Sequence, residues 1–385
     1  MPRPKPGVPS LLRELNDAAA LSLIMEQGAV TRADLARHSG LSRVTSSQAL
    51  QRLEARGLIA VHEQRAGAKG PAADVYALTP GIGVALGLAV RSSGLRAEVC
   101  TLAGEVVAVD EEPIGDDVVG SLVTLAQRVV GAVGEDAGPV LAATVATPGV
   151  VDPKSGNLAF SYDFADATDL RERLEVALGA PVVLGNDVHL AALAEMRVGS
   201  ARGEQDFVLL WIGRGLGMAG VIDGQVRAGS SGAAGEIGYL PVPGVELPSR
   251  VDNVDKGSYQ RVVGADAVEA LAAEYGVVLT NAESVASAPD FVSELGHRIS
   301  LGVASIGTIL DPALFVLTGE TAVQIGGLLA PAVAASTSRI APISPRVEIT
   351  LLGLDGPLRG ARVHAVDAAR KLLLERVRTS EVTTG

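Results

Sequence analysis

The sequence predicts an α/β protein in which a small α+β head precedes a larger body of two similar α/β halves. Three observations predict this. The stretch Thr31–Gly57 reads as two short helices joined by a tight turn. Two short β-like runs around a glycine-rich segment follow it. Beyond residue 80, strands and helices alternate in an order that recurs weakly. With 385 residues the chain is too long for one ordinary core. We take residues 1–10 as a flexible arm, 11–80 as the head and 81–385 as the body.

The arm, MPRPKPGVPS, is proline-rich. Leu12, Leu15, Ala19 and Leu23 then recur at helical spacing, so a helix over 12–25 forms the third side of a small bundle. Thr31 suits the cap of the next helix, because its hydroxyl can accept from the free amide of Asp34, whose carboxylate also favours a first turn. Leu35 and Ala36 give that helix a small apolar side. Gly40 supplies the turn, since glycine takes positive φ without a Cβ penalty. Ser42 caps the second helix, with Ala49, Leu50 and Leu53 facing inward and Arg43, Thr45, Ser47, Gln48 and Arg52 outward. Arg and Gln bond base edges, and Ser and Thr reach phosphates, so the set suits a helix presented to a DNA major groove.

After Gly57, LIAVHE and VYAL are strand-like, while Gly67, Gly70 and Pro71 exclude regular structure between them. The intervening loop carries Arg65 and Lys69 toward phosphate or the minor groove, as the wing of a winged helix-turn-helix does. The candidate DNA-binding set is Arg32, Ser42, Arg43, Thr45, Ser47, Gln48, Arg52, Arg65 and Lys69. A helical hairpin that only packs or dimerises, with a solvated hairpin tip, is the plainer alternative. LTPGIG, with Pro80 and two glycines, marks the domain boundary.

Composition narrows the classes. Hydrophobic residues make up 48% and charged residues 20%, which fits a globular protein rather than a disordered one. The formal charge is −12, yet residues 1–80 hold ten Lys and Arg against seven Asp and Glu, a surplus of three that leaves −15 on the body. A slightly basic head on an acidic body suits contact with DNA through one end. Aromatics at 3% argue against stacking on single-stranded bases. The lone Cys100 cannot form an intrachain disulfide, which points to a reducing cytoplasm. No signal-length apolar core and no membrane-length apolar run is read.

In the body, VALGLAV, LRAEVCT and EVVAVD read as three strands joined by SSG and LAGE turns, followed by a helix over 118–133 and the strand VLAATVA. FVLLWI, GMAGVI and GQVRA repeat the strand set, and IDGQV echoes LAGEV. Helices over 265–275 and 291–310, the strand LFVLTG, a helix over 326–335, the strand VEITLL and a helix over 360–378 complete the chain. Two such halves enclose a cleft, and ligands belong at strand C-terminal ends within it.

Three stretches then carry a family resemblance: GNDVHLAALAE (185–195), GRGLGMAGVIDGQV (213–226) and GSSGAAGEIGY (229–239). With the head in front, the chain resembles the ROK family of repressors, open reading frames and kinases over nearly its whole length. The resemblance implies a bilobal actin-like, ribonuclease-H-like ROK body preceded by an α+β winged helix-turn-helix domain, with the cleft near 186–240. Some members are sugar kinases; others are repressors whose body binds a sugar or sugar phosphate. Asp187 matches the catalytic aspartate, Asn186 stands beside it, and Glu236 is another hydroxyl acceptor. For Asp187 alone, a cap of the following helix is the plainer role. Tyr239 and Gln260 replace sugar-contacting family residues, and Asp163 stands where members often carry an Asn near the sugar. The sugar-binding candidates are thus Asp163, Asn186, Asp187, Glu236, Tyr239 and Gln260.

The departures bear on chemistry. Phosphoryl transfer needs backbone cradles around the nucleotide phosphates. The first family loop, Asp-x-Gly-x-Thr, becomes Ala89, Arg91 and Ser93, and the second, GTG, becomes GRG with Arg214. Both loops read as disabled. The family's zinc module is missing, with Tyr239 at the His and no cysteine over 240–258, and a thiolate zinc site needs thiolates. His38, His62, His189, His297 and His364 lack ligand spacing and read as surface or packing residues. The expectation is a DNA-binding regulator, a repressor by analogy, with no catalytic residues, no metal and no cofactor. It would bind double-stranded DNA at a palindromic operator as a homodimer or higher homo-oligomer, take a sugar or sugar-phosphate effector, and touch no membrane. Two alternatives stay open: a ligand-independent regulator whose body is a dimerisation scaffold, and an active sugar kinase with an appended head.

Overall fold

The computed structural model describes residues 9–67, 70–160, 169–251 and 257–379. Lys69 and Asp163 lie outside the described residues, as does most of the expected arm.

In the head, α1 (Pro9–Gln27), β1 (Ala29–Thr31), α2 (Arg32–Ser39) and α3 (Arg43–Ala55) precede the hairpin β2 (Ile59–Gly67) and β3 (Gly70–Leu78). Local chemistry sets the helix ends. Thr31 accepts from the Asp34 amide while the Asp34 carboxylate accepts from the Thr31 amide, a reciprocal capping box. Gly40 closes α2 at φ 71°. Ser42 accepts from the Thr45 amide and opens α3. Two expectations need correcting. The hairpin strands run through the segment expected to be irregular, pairing as far as Gly67 with Gly70, because register shifts at Val61/Glu63 and Arg65/Gly67 absorb the irregularity. A third strand, β1, was not foreseen; it pairs antiparallel with β3.

The first lobe comprises β4 (Val84–Arg91), β5 (Gly94–Cys100), β6 (Val106–Glu112), α4 (Val118–Gly131), β7 (Val140–Thr147), the small pair β8 (Val150–Val151) and β9 (Leu158–Phe160), α5 (Leu170–Leu178), β10 (Val182–Asn186) and α6 (Asp187–Val198). The second comprises β11 (Phe207–Ile212), β12 (Leu216–Ile222), β13 (Gln225–Val226), α7 (Gln260–Val263), α8 (Ala265–Glu274), α9 (Ala282–Ala286), α10 (Pro289–Leu310), β14 (Leu314–Thr318), α11 (Glu320–Ile325), α12 (Leu329–Ile340) and β15 (Val347–Ile349); α13 (Gly356–Thr379) ends the described chain. The helix expected over 326–335 begins instead with a 3₁₀ turn at Gly326–Leu328, where paired glycines weaken α-helix. The strand expected over 347–352 stops at Ile349.

The recurrence read from sequence is a topological repeat. The five-stranded sheets run β6-β5-β4-β7-β10 and β13-β12-β11-β14-β15. In each, the first three strands of the half form an antiparallel meander and the last two add parallel to its first strand. Parallel additions need crossover helices, which α4, α5, α10 and α12 supply.

The last helix, α13, ties the molecule together. It packs on α6, on β4 and β7, and on α1. At its crossing with α6 the backbones touch, since a Cβ on Gly360 would lie 1.8 Å from the Leu190 carbonyl oxygen. Its far end enters the head. Leu21, Ile24, Leu50, Leu53 and Tyr76 share one buried cluster with Ala365, Ala369, Leu373 and Val377 of α13 and with Cys100 and Leu141 of the first lobe. The Arg370 guanidinium donates to the Met25 and Leu102 carbonyls, and Arg56 donates to the Arg376 and Val377 carbonyls. The latter pair belongs to the last turn of α13, where backbone acceptors lack helical partners.

Candidate nucleic-acid interface and ligand cleft

The interface candidate is the outward side of α3. Ser46, Ala49, Leu50 and Leu53 are buried, and on a helix the residues opposite them must face solvent. Those are Val44, Gln48 and Gln51, all exposed. Arg43 and Ser42 are exposed at the helix start, while Thr45 and Ser47 are half-buried. Among the described residues, no hydrogen bond or ion pair engages the side chains of Arg43, Gln48 or Gln51. Ser42 is committed in part, with its Oγ 3.1 Å from the Thr45 amide and 2.9 Å from Thr45 Oγ1.

Arg52 does not face outward as expected. Its guanidinium donates twice to Asp17 of α1, at 2.6 and 2.9 Å, and Asp17 is 5% exposed. A buried carboxylate needs a partner, so Arg52 is a brace between α1 and α3 rather than a base reader. Arg32 holds its cation over the Tyr76 ring, 5.5 Å from the centroid, and donates to the Tyr76 hydroxyl at 2.5 Å. That bond, foremost, raises its pKa further. The placement fixes Arg32 at the foot of the hairpin, half-exposed beside Asp74. Arg65 is exposed on the wing and pairs with Glu63 at 3.2 Å. The sequence analysis did not single out Val44 and Gln51; their i, i+4, i+7 spacing with Gln48 was the available signal.

In the body, β10 delivers Asn186 and Asp187 to the start of α6. The cap proves to be Asn186, not Asp187: Asn186 Oδ1 accepts from the His189 amide at 3.0 Å, and its Nδ2 donates to the Gly149 carbonyl at 2.9 Å. Each polar atom of the Asn186 side chain thus has one backbone partner in the fold. Asp187 follows at the first helical position, where its carboxylate accepts from the Val188 amide and suits the helix dipole. His189 reaches the Ala234 carbonyl at 3.2 Å, which sets the start of α6 beside the 233–236 segment. Burial holds the His189 imidazole below its ordinary pKa.

Glu236 is half-buried there, and no described residue bonds its carboxylate. Loss of water pushes its pKa up. Tyr239 closes the short 3₁₀ turn Ile237–Tyr239 next to it. Gln260 departs from expectation. Its Oε1 accepts from the Leu216 amide at 3.0 Å and its Nε2 donates to the Arg214 carbonyl at 2.8 Å. An amide can satisfy both backbone partners at once, so Gln260 braces the GRG turn.

The first loop is filled by protein. Arg91, at the end of β4, donates to Asp355 at 2.9 Å, with Glu111 3.8 Å away. The next residue, Ser92, donates to Glu320 of α11 at 3.4 Å, and a Cβ on Gly213 would lie 1.8 Å from the other Glu320 oxygen. Side chains thus occupy the approach between the two loops, and Ala89, fully buried, offers no magnesium ligand. These residues do not fit a magnesium nucleotide. The donor set at Tyr239 and the cysteine-free segment after it do not fit the family zinc module either. Among the described residues, no group of three or more His, Cys, Asp or Glu is placed to hold a metal ion.

A winged helix-turn-helix head joined to a body of two repeated α/β lobes around a cleft defines a ROK-type architecture. The chain belongs to the ROK family: the ROK family model matches residues 93–361, and the MarR family model matches 14–70. It is 23% identical over 338 residues to the DNA-binding transcriptional dual regulator NagC of Escherichia coli K12, covering 82% of each chain. An uncharacterized protein of Clostridium perfringens is 31% identical over 181 residues, 46% of this chain and 60% of that one. A glucokinase of Halalkalibacterium halodurans is 25% identical over 64% of this chain and 83% of its own. Among solved structures, a ROK family transcriptional regulator homologous to the E. coli MLC protein aligns with TM-score 0.73 and 20% identity over 95% of this chain and 99% of that one. No helix of the described residues is long and apolar enough to cross a membrane.

Proposed function

We propose that the protein is a DNA-binding transcriptional regulator, a repressor, whose kinase-derived body senses a sugar or sugar phosphate and does not phosphorylate it. The observation that carries the DNA-binding part is the outward side of α3, where Arg43, Gln48 and Gln51 are held free of protein partners on a capped and braced helix. Two-fold pairing of such heads would read a palindrome, so a homodimer or higher homo-oligomer is part of the proposal. Sensing is supported by Glu236, a half-buried acceptor left without a described partner beside the start of α6. A contact made by a ligand there reaches the head through α6 and α13, two helices in backbone contact. Absence of phosphoryl transfer is supported by the Arg91–Asp355 pair in the first loop. Repression rests on likeness to relatives named repressors, such as the N-acetylglucosamine repressor of Shigella flexneri, 23% identical over 338 residues and covering 82% of each chain.

A body that serves only as a dimerisation scaffold is the second reading, favoured by the internal bonds of Asn186 and Gln260. A melting screen with hexoses, N-acetylhexosamines and their phosphates separates the two, because a ligand that binds the native state raises the melting point. The sensor reading expects a rise with one class, lost in Glu236→Ala. No rise with any of them leaves the scaffold. ATP turnover with a hexose panel, if abolished by Asp187→Asn, overturns both in favour of a kinase.

A further inference from the structure

We propose that the head reads A·T base pairs through the stripe Val44–Gln48–Gln51, with Gln48 bonding an adenine and Val44 packed on a thymine methyl. This rests on the DNA-binding reading above and adds what the interface recognises.

The stripe is set by geometry. Residues at i, i+4 and i+7 share a helix face, and this one lies opposite the buried Ser46, Ala49, Leu50 and Leu53. Val44 is 67% exposed and absent from the head's buried cluster, so packing does not account for a β-branched apolar residue there. It sits in the first turn of α3, the end of a recognition helix that comes nearest the base edges. An exposed valine offers no hydrogen bond. The matching feature in a major groove is the thymine C5 methyl, which no other DNA base carries.

Gln48 and Gln51 each present an amide NH2 donor group beside a carbonyl acceptor. Adenine shows that complement at N6 and N7, whereas guanine shows two acceptors and calls for Arg or Lys. The cation nearest the stripe, Arg43, flanks it at the helix start, and Arg52 is bound to Asp17. Four residues of helix span about 6 Å and base pairs rise about 3.4 Å each along the duplex axis, so Val44 and Gln48 address pairs one or two steps apart. The stripe as a whole covers a core of roughly four pairs.

The test is selection of bound duplexes from a random pool with the full chain, then anisotropy on the selected site. An A·T pair is expected under Gln48, and Gln48→Ala should relax that preference about tenfold. Replacing the thymidine under Val44 by deoxyuridine removes one methyl and should weaken the wild type about fourfold. Val44→Ala should bind thymidine and deoxyuridine sites equally, a coupling that separates direct contact from independent effects. Val44 is exposed and alanine is the better helix former, so the variant's melting point should be no lower than the wild type's, which serves as the folding control. Enrichment of G·C pairs at these positions, or a deoxyuridine penalty unchanged in Val44→Ala, overturns this inference while leaving DNA binding intact. Failure to enrich any sequence removes it together with the reading it rests on.

Discussion

The outward side of α3 and the interlobe cleft treat their polar side chains in opposite ways. On α3, polar groups are aimed at solvent while the structure beneath them is braced by Arg52–Asp17 and the Ser42 cap. In the cleft, Asn186 and Gln260 bond backbone and Arg91 bonds Asp355, while Arg91 Nε, one Glu320 oxygen and the Glu236 carboxylate have no partner among the described residues. The α3 groups thus face solvent on a braced helix, whereas most of the cleft groups hold the fold.

The contrast can be broken most severely at Arg52. If it is a brace, Arg52→Ala strands the buried Asp17 carboxylate and should cost the head about 3 kcal/mol, read by denaturant unfolding. A loss of DNA affinity at unchanged stability would return Arg52 to the interface. Next comes Gln260→Glu, which keeps the acceptor for the Leu216 amide but loses the donor to the Arg214 carbonyl. A cost of about 1–2 kcal/mol is expected, with faster hydrogen exchange over residues 213–216. Ser46 offers a smaller effect of opposite sign. Its hydroxyl is buried without a partner, so Ser46→Ala should stabilise the head by about 1 kcal/mol.

Glu236 gives the smallest effect and the one that depends on pH. Its folded pKa is raised by loss of water, so the folded state binds the proton more tightly than the unfolded chain and stability falls as pH rises through the window above the ordinary carboxylate pKa. Glu236→Gln should therefore raise the melting point at neutral pH, and the gain should vanish below that window. An equal gain at every pH would mean that the carboxylate is solvated and not held for a ligand.

What was legible in the sequence follows the range of each interaction. The capping box at Thr31 and Asp34, the Gly40 turn and the Ser42 cap are bonds within three residues, so residue type and spacing sufficed. The repeat of two lobes was legible because strands buried on both faces read as short, nearly continuous apolar runs. Arg52 was misjudged because its partner lies 35 residues away on another helix. Gln260 and Arg91 were assigned to a cleft by position in a motif, but their direction was decided by acceptors at Arg214 and Asp355, which no local pattern reveals. The cap of α6 fell on Asn186 and not on the plainer candidate Asp187, because helix capping turns on a shift of one residue.

Because Leu373 and Val377 sit among Leu21, Leu50 and Leu53, residues 1–80 alone lack one wall of their own interior. The head is thus a poor candidate for transplantation. A chimera meant to redirect this protein to another operator should carry the matching C-terminal helix along with the N-terminal segment. The two ends of the gene are therefore expected to change together when specificity diverges.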